Sequence, residues 1–181
     1  MELSEFFSSD KKMAIAEFIL NHPNAELSAR KLAKEVSVSP ALASIFIKGI
    51  KEGGLAEEKL NLFDPRIRAL KLLFNVNLLR KKKAIDLIKK SVKGVKGIGI
   101  YGSWANGLNY EDSDLDLWVR VEKQVERGGL AKLRKELKER LAVEPNIIVL
   151  NDKRLTELKE KDFVFYCTLH NSFVLEGEQV D

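Results

Sequence analysis

Four residues in the second half of the chain have the types and the spacing needed to bind phosphate groups and a metal ion. Gly102 and Ser103 follow a short apolar run, and Asp114 and Asp116 open a second run after ten intervening residues. A turn from strand to helix at Gly102 and Ser103 lets the backbone approach a ligand closely and presents free N–H groups. The Ser103 hydroxyl adds one more donor. We therefore interpret these two residues as a phosphate-binding turn.

The two aspartates are predicted to lie side by side on a strand. Alternate residues of a strand face the same way, so both carboxylates point in one direction while Leu115 and Leu117 point into the core. Adjacent carboxylates repel each other unless a cation lies between them. Mg²⁺ prefers one or two carboxylates together with phosphate oxygens and water. The pair therefore predicts a site for Mg²⁺ or Mn²⁺ that binds with a nucleotide; the alternative is an ordinary solvated turn.

The ordered combination of strand, Gly-Ser turn, short helix and Asp-x-Asp strand resembles the minimal nucleotidyltransferases of the DNA polymerase beta superfamily. The resemblance extends over roughly residues 95–177, about half of the chain. It implies that Gly102 and Ser103 bind the nucleotide phosphates, and that Asp114 and Asp116 are the catalytic, metal-binding carboxylates. The implied reaction is attack of a hydroxyl on the α-phosphate of a nucleoside triphosphate (NTP), with pyrophosphate leaving. Two metal ions would stabilise the attacking and leaving oxygens.

Two positions depart from that pattern. The family usually has a third carboxylate on a later strand, and the matching position here is Asn146, whose amide is neutral. Glu144, two residues earlier, is the alternative third metal ligand. Asn106 stands where many relatives have an arginine that faces the phosphates. We expect Lys96, Arg120 or the lysines of the basic connector described below to compensate for it.

Residues 1–63 are predicted to form a small helical domain. Asp10 is expected to cap the first helix, Ser28 begins a second, and Ser39 with Pro40 opens a third in N-cap and N1 positions. The last two helices are joined by a tight turn, as in a helix-turn-helix unit. This block resembles the winged helix-turn-helix domains of prokaryotic regulators, in which the third helix enters the DNA major groove.

The third helix departs from the usual DNA-reading pattern. Its outer face retains Leu42 and Ile45, which cannot hydrogen-bond to base edges. One hypothesis is that Lys48 and Lys51 bind DNA; the other is that this helix packs on another domain or on a second copy in a homodimer. Its predicted core face has helical spacing and consists of Ala43, Phe46, Ile47 and Ile50.

Residues 64–94 are predicted to form a basic helical connector. It begins at Asp64 and Pro65, and Asn75 and Asn77 favour a break within it. Between residues 66 and 96 there are eleven bases and one acid, a local charge of +10, whereas the remaining residues carry 20 bases and 26 acids, or −6. Such a band attracts polyanions such as nucleic acid, nucleotide phosphates or an acidic partner. The alternative is a solvated, lysine-rich helix face.

Residues 95–181 alternate between apolar runs and amphipathic helices, which predicts a sheet covered by helices. The predicted fold class is α+β, with an all-α winged-helix-like domain first and a mixed sheet of nucleotidyltransferase type second. We expect Trp118 to pack in the core; the alternative is that it faces the surface beside the aspartates and stacks on a nucleobase. Strands are predicted at 97–101, 115–121, 146–150 and 173–175.

Composition narrows the class of protein. Of the 181 residues, 45% are hydrophobic and 32% are charged, which argues against general disorder. Cys167 is the single cysteine, so an internal disulfide and a multi-thiolate metal site are excluded. The sequence has neither an apolar run of about 18 residues nor a signal-like start, so we expect a cytoplasmic protein without a membrane partner.

Two functional hypotheses follow. The first is a metal-dependent nucleotidyltransferase that moves a nucleoside monophosphate from an NTP to a protein or small-molecule hydroxyl, fused to a DNA-binding domain. The alternative is a non-catalytic, DNA-binding transcriptional regulator, or an antitoxin-like protein with a toxin-like partner, in which the nucleotidyltransferase domain is degenerate.

Overall fold

The computed structural model describes residues 6–122 and 127–181, and the chain divides into two compact units, Met1–Phe74 and Asn75–Asp181. The helices are α1 (Asp10–Asn21), α2 (Ala29–Glu35), α3 (Pro40–Glu52), α4 (Pro65–Lys81), α5 (Ala84–Ser91), α6 (Gly102–Asn106), α7 (Arg127–Leu141), α8 (Asp152–Lys161) and α9 (Phe163–His170). The strands are β1 (Val95–Ile100), β2 (Leu115–Val121), β3 (Pro145–Leu150) and β4 (Phe173–Gly177). No helix in the described part of the chain is both long and apolar enough to span a membrane.

The strands form one mixed sheet in the order β3-β2-β1-β4. Strand β1 is antiparallel to β2 and to β4, whereas β2 and β3 are parallel and are connected through α7. The predicted α+β class, with a mixed sheet and its helices in the second half of the chain, is confirmed.

The first unit contains the three expected helices. Ser39 Oγ accepts a hydrogen bond from the Leu42 N–H at 3.2 Å, and Pro40 follows in the first turn of α3. The buried residues of α3 are the four predicted from their spacing: Ala43, Phe46, Ile47 and Ile50. Helix α1 differs in detail, because Ser9 caps it by accepting from the Lys12 N–H, and Asp10 is its first helical residue.

The segment after α3 forms only one isolated antiparallel bridge, between Ala56 and Leu60. The outer face of α3 leaves Leu42 half-buried and the Ile45 side chain 65% exposed. Assignment of this unit to the winged helix-turn-helix class stays a prediction.

Helix α4 continues past the position where a break was expected. Asn75 and Asn77 both lie inside it, and the chain turns at Lys83 instead, which has a left-handed φ of 53°. Asn75 does not break the helix because its side chain is buried and bonded to groups outside the helix, rather than to the local backbone as a helix-breaking asparagine would be.

The two faces of the sheet carry different groups. Directly paired residues share a face, and Asp116 pairs with Asn146 while Trp118 pairs with Gly99. We call this the aspartate face. Helices α8 and α9 cover the part of it around Trp118 through an apolar cluster that includes Leu155, Leu158 and Leu169.

The opposite face carries Leu117 and Val119 of β2, with Ile98 of β1 opposite Val119. Ile98 also pairs with Glu176 of β4, so Glu176 lies on this opposite face. The Glu176 carboxylate forms ion pairs with Lys89 and Arg80. Helix α5 is therefore on the opposite side of the sheet from Asp116.

The start of α4 provides a test of local stability. Asp64 Oδ1 accepts from the Arg66 N–H at 2.8 Å, and its carboxylate also accepts from the Arg66 guanidinium at 3.0 and 2.7 Å. These hydrogen bonds from Arg66 hold the pKa of Asp64 below its ordinary value. We predict that Asp64→Ala lowers the free energy of unfolding by about 1 kcal/mol at neutral pH, because the helix loses its N-cap.

Because the pKa of Asp64 is lower in the folded state, the sign of the pH dependence of its contribution to stability follows. The contribution of Asp64 is complete above its unfolded-state pKa and is lost as the pH falls through the lower folded-state value. Urea unfolding should therefore show a difference between Asp64→Ala and the unsubstituted protein that shrinks in acid. Asp10→Ala removes a first-turn carboxylate that makes no cap hydrogen bond and is the control; a pH-independent difference at Asp64 would contradict the assignment.

Candidate active site

Gly102 joins β1 to α6 in a conformation that favours glycine. Tyr101 before it is extended, while Gly102 has a φ of 66°, in the left-handed region. A Cβ at Gly102 would lie 2.6 Å from Asp116 Oδ2. The Tyr101 N–H also donates to the Asp116 backbone carbonyl at 3.1 Å. The turn is thus packed directly against Asp116, and the absence of a side chain at Gly102 leaves room for that carboxylate.

The two aspartates and Asn146 converge. Asn146 Nδ2 donates to Asp114 Oδ2 at 3.2 Å and to Asp116 Oδ1 at 3.3 Å. Asp114 lies immediately before β2 and is exposed, whereas Asp116 within the strand is half-buried. One amide therefore bridges both carboxylates, and the structure brings together three of the residues singled out in the sequence.

Glu144 lies near this cluster in sequence but makes a different contact. Its carboxylate forms an ion pair with Lys138 of α7 at 2.5 Å, while its backbone carbonyl accepts from the Leu115 N–H. Within residues 6–122 and 127–181, no set of three or more His, Cys, Asp or Glu side chains is arranged to hold a metal ion. Of the two candidate third positions, the structure places Asn146 at the aspartates.

The electrostatics of the cluster favour a cation. Burial raises the pKa of Asp116; the hydrogen bond from Asn146 opposes this rise, and the negative charge of Asp114 adds to it. Burial, followed by the charge of Asp116, raises the pKa of Tyr101 to about 12. A positive ion between the carboxylates would relieve the repulsion between Asp114 and Asp116, which adds to the effect of burial.

The donor set fits a small divalent cation. Asp114 and Asp116 supply carboxylate oxygens, and Asn146 can present its amide oxygen by rotating about its terminal side-chain bond. Mg²⁺ characteristically uses a few protein oxygens and completes its coordination with phosphate oxygens and water. The set contains two carboxylates and a neutral amide, so it offers less negative charge for a second ion than three carboxylates would.

A buried network of asparagine side chains, which was not predicted from the sequence, stabilises α6 and the segment that leads to Asp114. Asn75 Nδ2 donates to the Trp104 carbonyl at 3.0 Å and to Asn109 Oδ1 at 2.9 Å, and both asparagines are buried. Trp104 Nε1 in turn donates to the Ser113 carbonyl at 3.4 Å, just before Asp114. A signal was present in the sequence, because Asn75 lies four residues before the buried Leu79 and so shares its helix face.

Arg120 and the basic residues of α5, which were expected to face the phosphates, are placed elsewhere, and the role of Lys96 stays a prediction. The Arg120 guanidinium donates to Asp181 Oδ1 at 2.6 Å and to the Gln179 carbonyl at 2.7 Å, and it also pairs with Glu178. The basic residues of α5 lie beyond the sheet, as the pairing of Lys89 with Glu176 requires. The first-turn N–H groups of α6 supply partial positive charge at Gly102.

The structure also places three residues that the sequence suggested as possible ligand contacts: Trp118, Lys48 and Lys51. Trp118 is fully buried, and its Nε1 donates to Ser172 Oγ at 2.7 Å, so its ring is unavailable for stacking on a base. Lys48 and Lys51 are exposed on α3 in the first unit, and Lys48 pairs with Glu52 at 3.7 Å. The proposed DNA contacts and the aspartate cluster thus belong to different units.

Substitution of Gly102 tests the contact with Asp116. We predict that Gly102→Ala weakens Mg²⁺-dependent nucleotide binding by more than about tenfold, because the new methyl group displaces the Asp116 carboxylate. Both this variant and the control Gly94→Ala should lose about 1–3 kcal/mol of stability, since both positions have a left-handed φ. At Gly94 the nearest atom to a Cβ is 3.7 Å away.

Calorimetric titration with an NTP and Mg²⁺ compares the two variants at matched folded fraction. Equal affinities for Gly102→Ala and Gly94→Ala would disprove a role of this close contact in the site.

Comparison with known proteins agrees with this geometry. Residues 81–170 match the family model of the nucleotidyltransferase domain, and no curated protein sequence matches the chain significantly.

The solved structures with similar shape include a toxin–antitoxin with AMP-PNP (18% identity, 54% of this chain and 74% of that one, TM-score 0.44). Another is a toxin–antitoxin MntA-HpeT mutant (17%, 55% and 74%, TM-score 0.45). A third is the tri-AMPylated Shewanella oneidensis HEPN toxin in complex with MNT antitoxin (17%, 59% and 73%, TM-score 0.41). At these values the resemblance is distant and assigns neither substrate nor partner to this chain.

The match covers α5 through α9, together with the Gly102 turn, both aspartates and Asn146. Residues 81–170, just under half of the chain, therefore match the nucleotidyltransferase domain.

Proposed function

We propose that this protein is a metal-dependent nucleotidyltransferase, which moves a nucleoside monophosphate from an NTP to a hydroxyl of a protein or small molecule. The observation that carries the proposal is the packing of Gly102 against Asp116, with Asp114 and Asn146 converging on the same point. This arrangement lies inside the segment that matches the nucleotidyltransferase domain.

Each residue has a distinct role in the proposed reaction. Gly102 and Ser103 bind the phosphates through backbone N–H groups at the start of α6. A side chain on Gly102 would displace the Asp116 carboxylate beside them. Asp114 and Asp116 would hold Mg²⁺ or Mn²⁺, with Asn146 as the third polar group. When bound, the ion supplies charge neutralisation on the phosphate oxygens and orients the triphosphate.

The reaction requires a proton to leave the acceptor. The acceptor oxygen forms a bond to the α-phosphorus as the bond to the pyrophosphate oxygen breaks, and the hydroxyl proton passes to solvent. Asn146 cannot accept that proton because an amide is not basic at neutral pH. The protein therefore contributes mainly by positioning the acceptor and the triphosphate and by electrostatic stabilisation.

Isosteric substitution of the aspartates tests the proposal. We predict that Asp114→Asn or Asp116→Asn reduces both Mg²⁺-dependent nucleotide binding and transfer by at least about 100-fold, because each removes an anionic metal ligand. The assay uses each of the four labelled NTPs with Mg²⁺ or Mn²⁺ and a cell extract as the source of acceptor.

Stability separates loss of function from misfolding in these variants. Without metal, removing one of two repelling carboxylates should leave the melting temperature unchanged or slightly higher. Glu144→Gln is the matched control, because its carboxylate pairs with Lys138 and not with the cluster. Transfer that survives in the Asp114→Asn, Asp116→Asn double variant would refute the proposed enzyme.

A second candidate function is supported by Asn146 itself. Its Nδ2 donates to both carboxylates, at the place where a third carboxylate would complete a two-metal site. We infer the alternative of a nucleotide-sensing regulator whose domain binds a metal–nucleotide complex without turning it over. DNA binding through Lys48 and Lys51 would then be its output.

Placing a carboxylate at position 146 distinguishes the two functions. If the protein is a transferase, we predict that Asn146→Asp raises the transfer rate by about 100-fold, because it adds a metal ligand and a general base. If it is a regulator, the unsubstituted protein binds nucleotide with Mg²⁺ but transfers nothing. Asn77→Asp adds the same charge at an exposed position of α4 and is the control.

The binding partners of the protein are also part of this proposal. The acceptor, a toxin-like protein partner, DNA and a second copy of this chain each stay a prediction. The apolar outer face of α3, with Ile45 exposed, supports the homodimer, whereas Lys48 and Lys51 on that helix support DNA. The oligomeric state of the protein with and without a DNA duplex decides between these two uses of α3.

A further inference from the structure

A groove between α5 and α7 lies on the opposite face of the sheet from the aspartates. Four basic side chains and two acidic ones line its walls: Lys83, Lys90, Lys132, Arg140, Asp86 and Glu136. Further lysines of the connector, Lys81, Lys82 and Lys93, are exposed on the same stretch of chain. The groove is open to solvent, and its position excludes a direct role at the aspartate cluster.

The positive charge of this groove is incompletely neutralised. Lys132 lies 3.9 Å from Glu136, and Lys89 is paired with Glu176. Neither Lys90 nor Arg140 forms an ion pair with a carboxylate of the residues that the structure describes. The end of α5 lies beside the start of α7, because a Cβ on Gly129 would be 3.9 Å from the Ser91 carbonyl oxygen. Lys90 and Arg140, in the last turns of α5 and α7, therefore line opposite ends of the groove.

The chemistry of the groove is unlike that of a protein–protein interface. The centres of such interfaces are rich in aromatic and apolar side chains and poor in lysine. Helix α5 buries its apolar residues, and none of the large exposed hydrophobic residues of the described chain lies on α5 or α7. The ligand is therefore expected to be a hydrated polyanion rather than an apolar protein surface.

The absence of aromatic residues from α5 and α7 favours a nucleic-acid duplex over a single strand as the ligand. Proteins that bind single-stranded nucleic acid stack its bases on aromatic side chains. Helices α5 and α7 contain no aromatic residue at all. Lysine and arginine in a groove without stacking groups match the regularly spaced phosphates of a double helix, and such contacts do not read the base sequence.

We propose that the α5–α7 groove binds the phosphate backbone of a nucleic-acid duplex, independently of sequence. This surface differs from the outer face of α3, and the proposal does not depend on whether the protein transfers nucleotides. It would place a duplex on one side of the sheet and the nucleotide site on the other.

Removal of two groove cations tests the proposal. Phosphate binding releases counterions, so the logarithm of the binding constant falls with the logarithm of salt concentration by about 0.9 per phosphate contacted. For Lys90→Gln with Arg140→Gln we expect the slope to decrease by about 1.8 and the affinity at about 0.1 M salt to fall by about 60-fold. Fluorescence anisotropy with DNA and RNA duplexes of equal length and unrelated sequences measures both quantities and identifies which duplex is preferred.

Two matched variants complete the experiment. Lys153→Gln with Lys161→Gln removes the same charge from exposed positions of α8, whose apolar residues pack on the aspartate face. Lys48→Gln with Lys51→Gln removes the same charge from α3. Loss of affinity in the groove variant alone, or well beyond both controls, supports the proposal.

Three results would overturn it: equal losses in the groove and α8 variants, loss only in the α3 variant, or no salt-dependent binding of either duplex. Tighter binding of poly-glutamate than of both duplexes would also overturn it, since the groove would then suit an acidic polypeptide. If the double variant fails to fold, Arg140→Gln alone replaces it, and the expected decrease in slope is then half as large.

Discussion

The candidate site of the second unit depends on holding two carboxylates close together. Asp114 and Asp116 repel each other, and the half-buried position of Asp116 increases the cost of its charge. The amide of Asn146 offsets part of this cost in the absence of a cation, and the Gly102 turn leaves space for the carboxylate by having no side chain. The fold thus keeps an electrostatically unfavourable pair in place, as functional sites commonly do at the expense of stability.

The mixed sheet gives this domain two chemically different sides. Strict alternation along β2 puts Asp116 and Trp118 on one face and Leu117 and Val119 on the other. The residues of β1 and β4 that pair with this strand continue the same two faces. The lysines of α5 therefore lie on the other side of the sheet from the aspartates and are separated from them by its full thickness. Proximity in sequence between the basic connector and the Gly102 turn therefore does not mean proximity in space.

Much of this arrangement was predictable from the sequence because local rules govern it. The four buried residues of α3 follow from helical spacing, and β2 follows from the alternation after Asp114. What could not be predicted depends on tertiary contacts. Asn75 resembles a helix breaker until its partners, Trp104 and Asn109, are known. The choice between Glu144 and Asn146 likewise depended on Lys138, which lies six residues from Glu144 but on a different element.

The burial of the tryptophans has a spectroscopic consequence. The sequence contains two, Trp104 and Trp118, and both are buried within the second unit, where their indole N–H groups donate to the Ser113 carbonyl and to Ser172 Oγ. Emission excited selectively at tryptophan therefore originates entirely from the nucleotidyltransferase domain, and the helical first unit contributes no signal of its own. The protein thus carries an intrinsic optical probe of one unit, with Trp104 on the helix that begins at Gly102 and Trp118 two residues beyond Asp116.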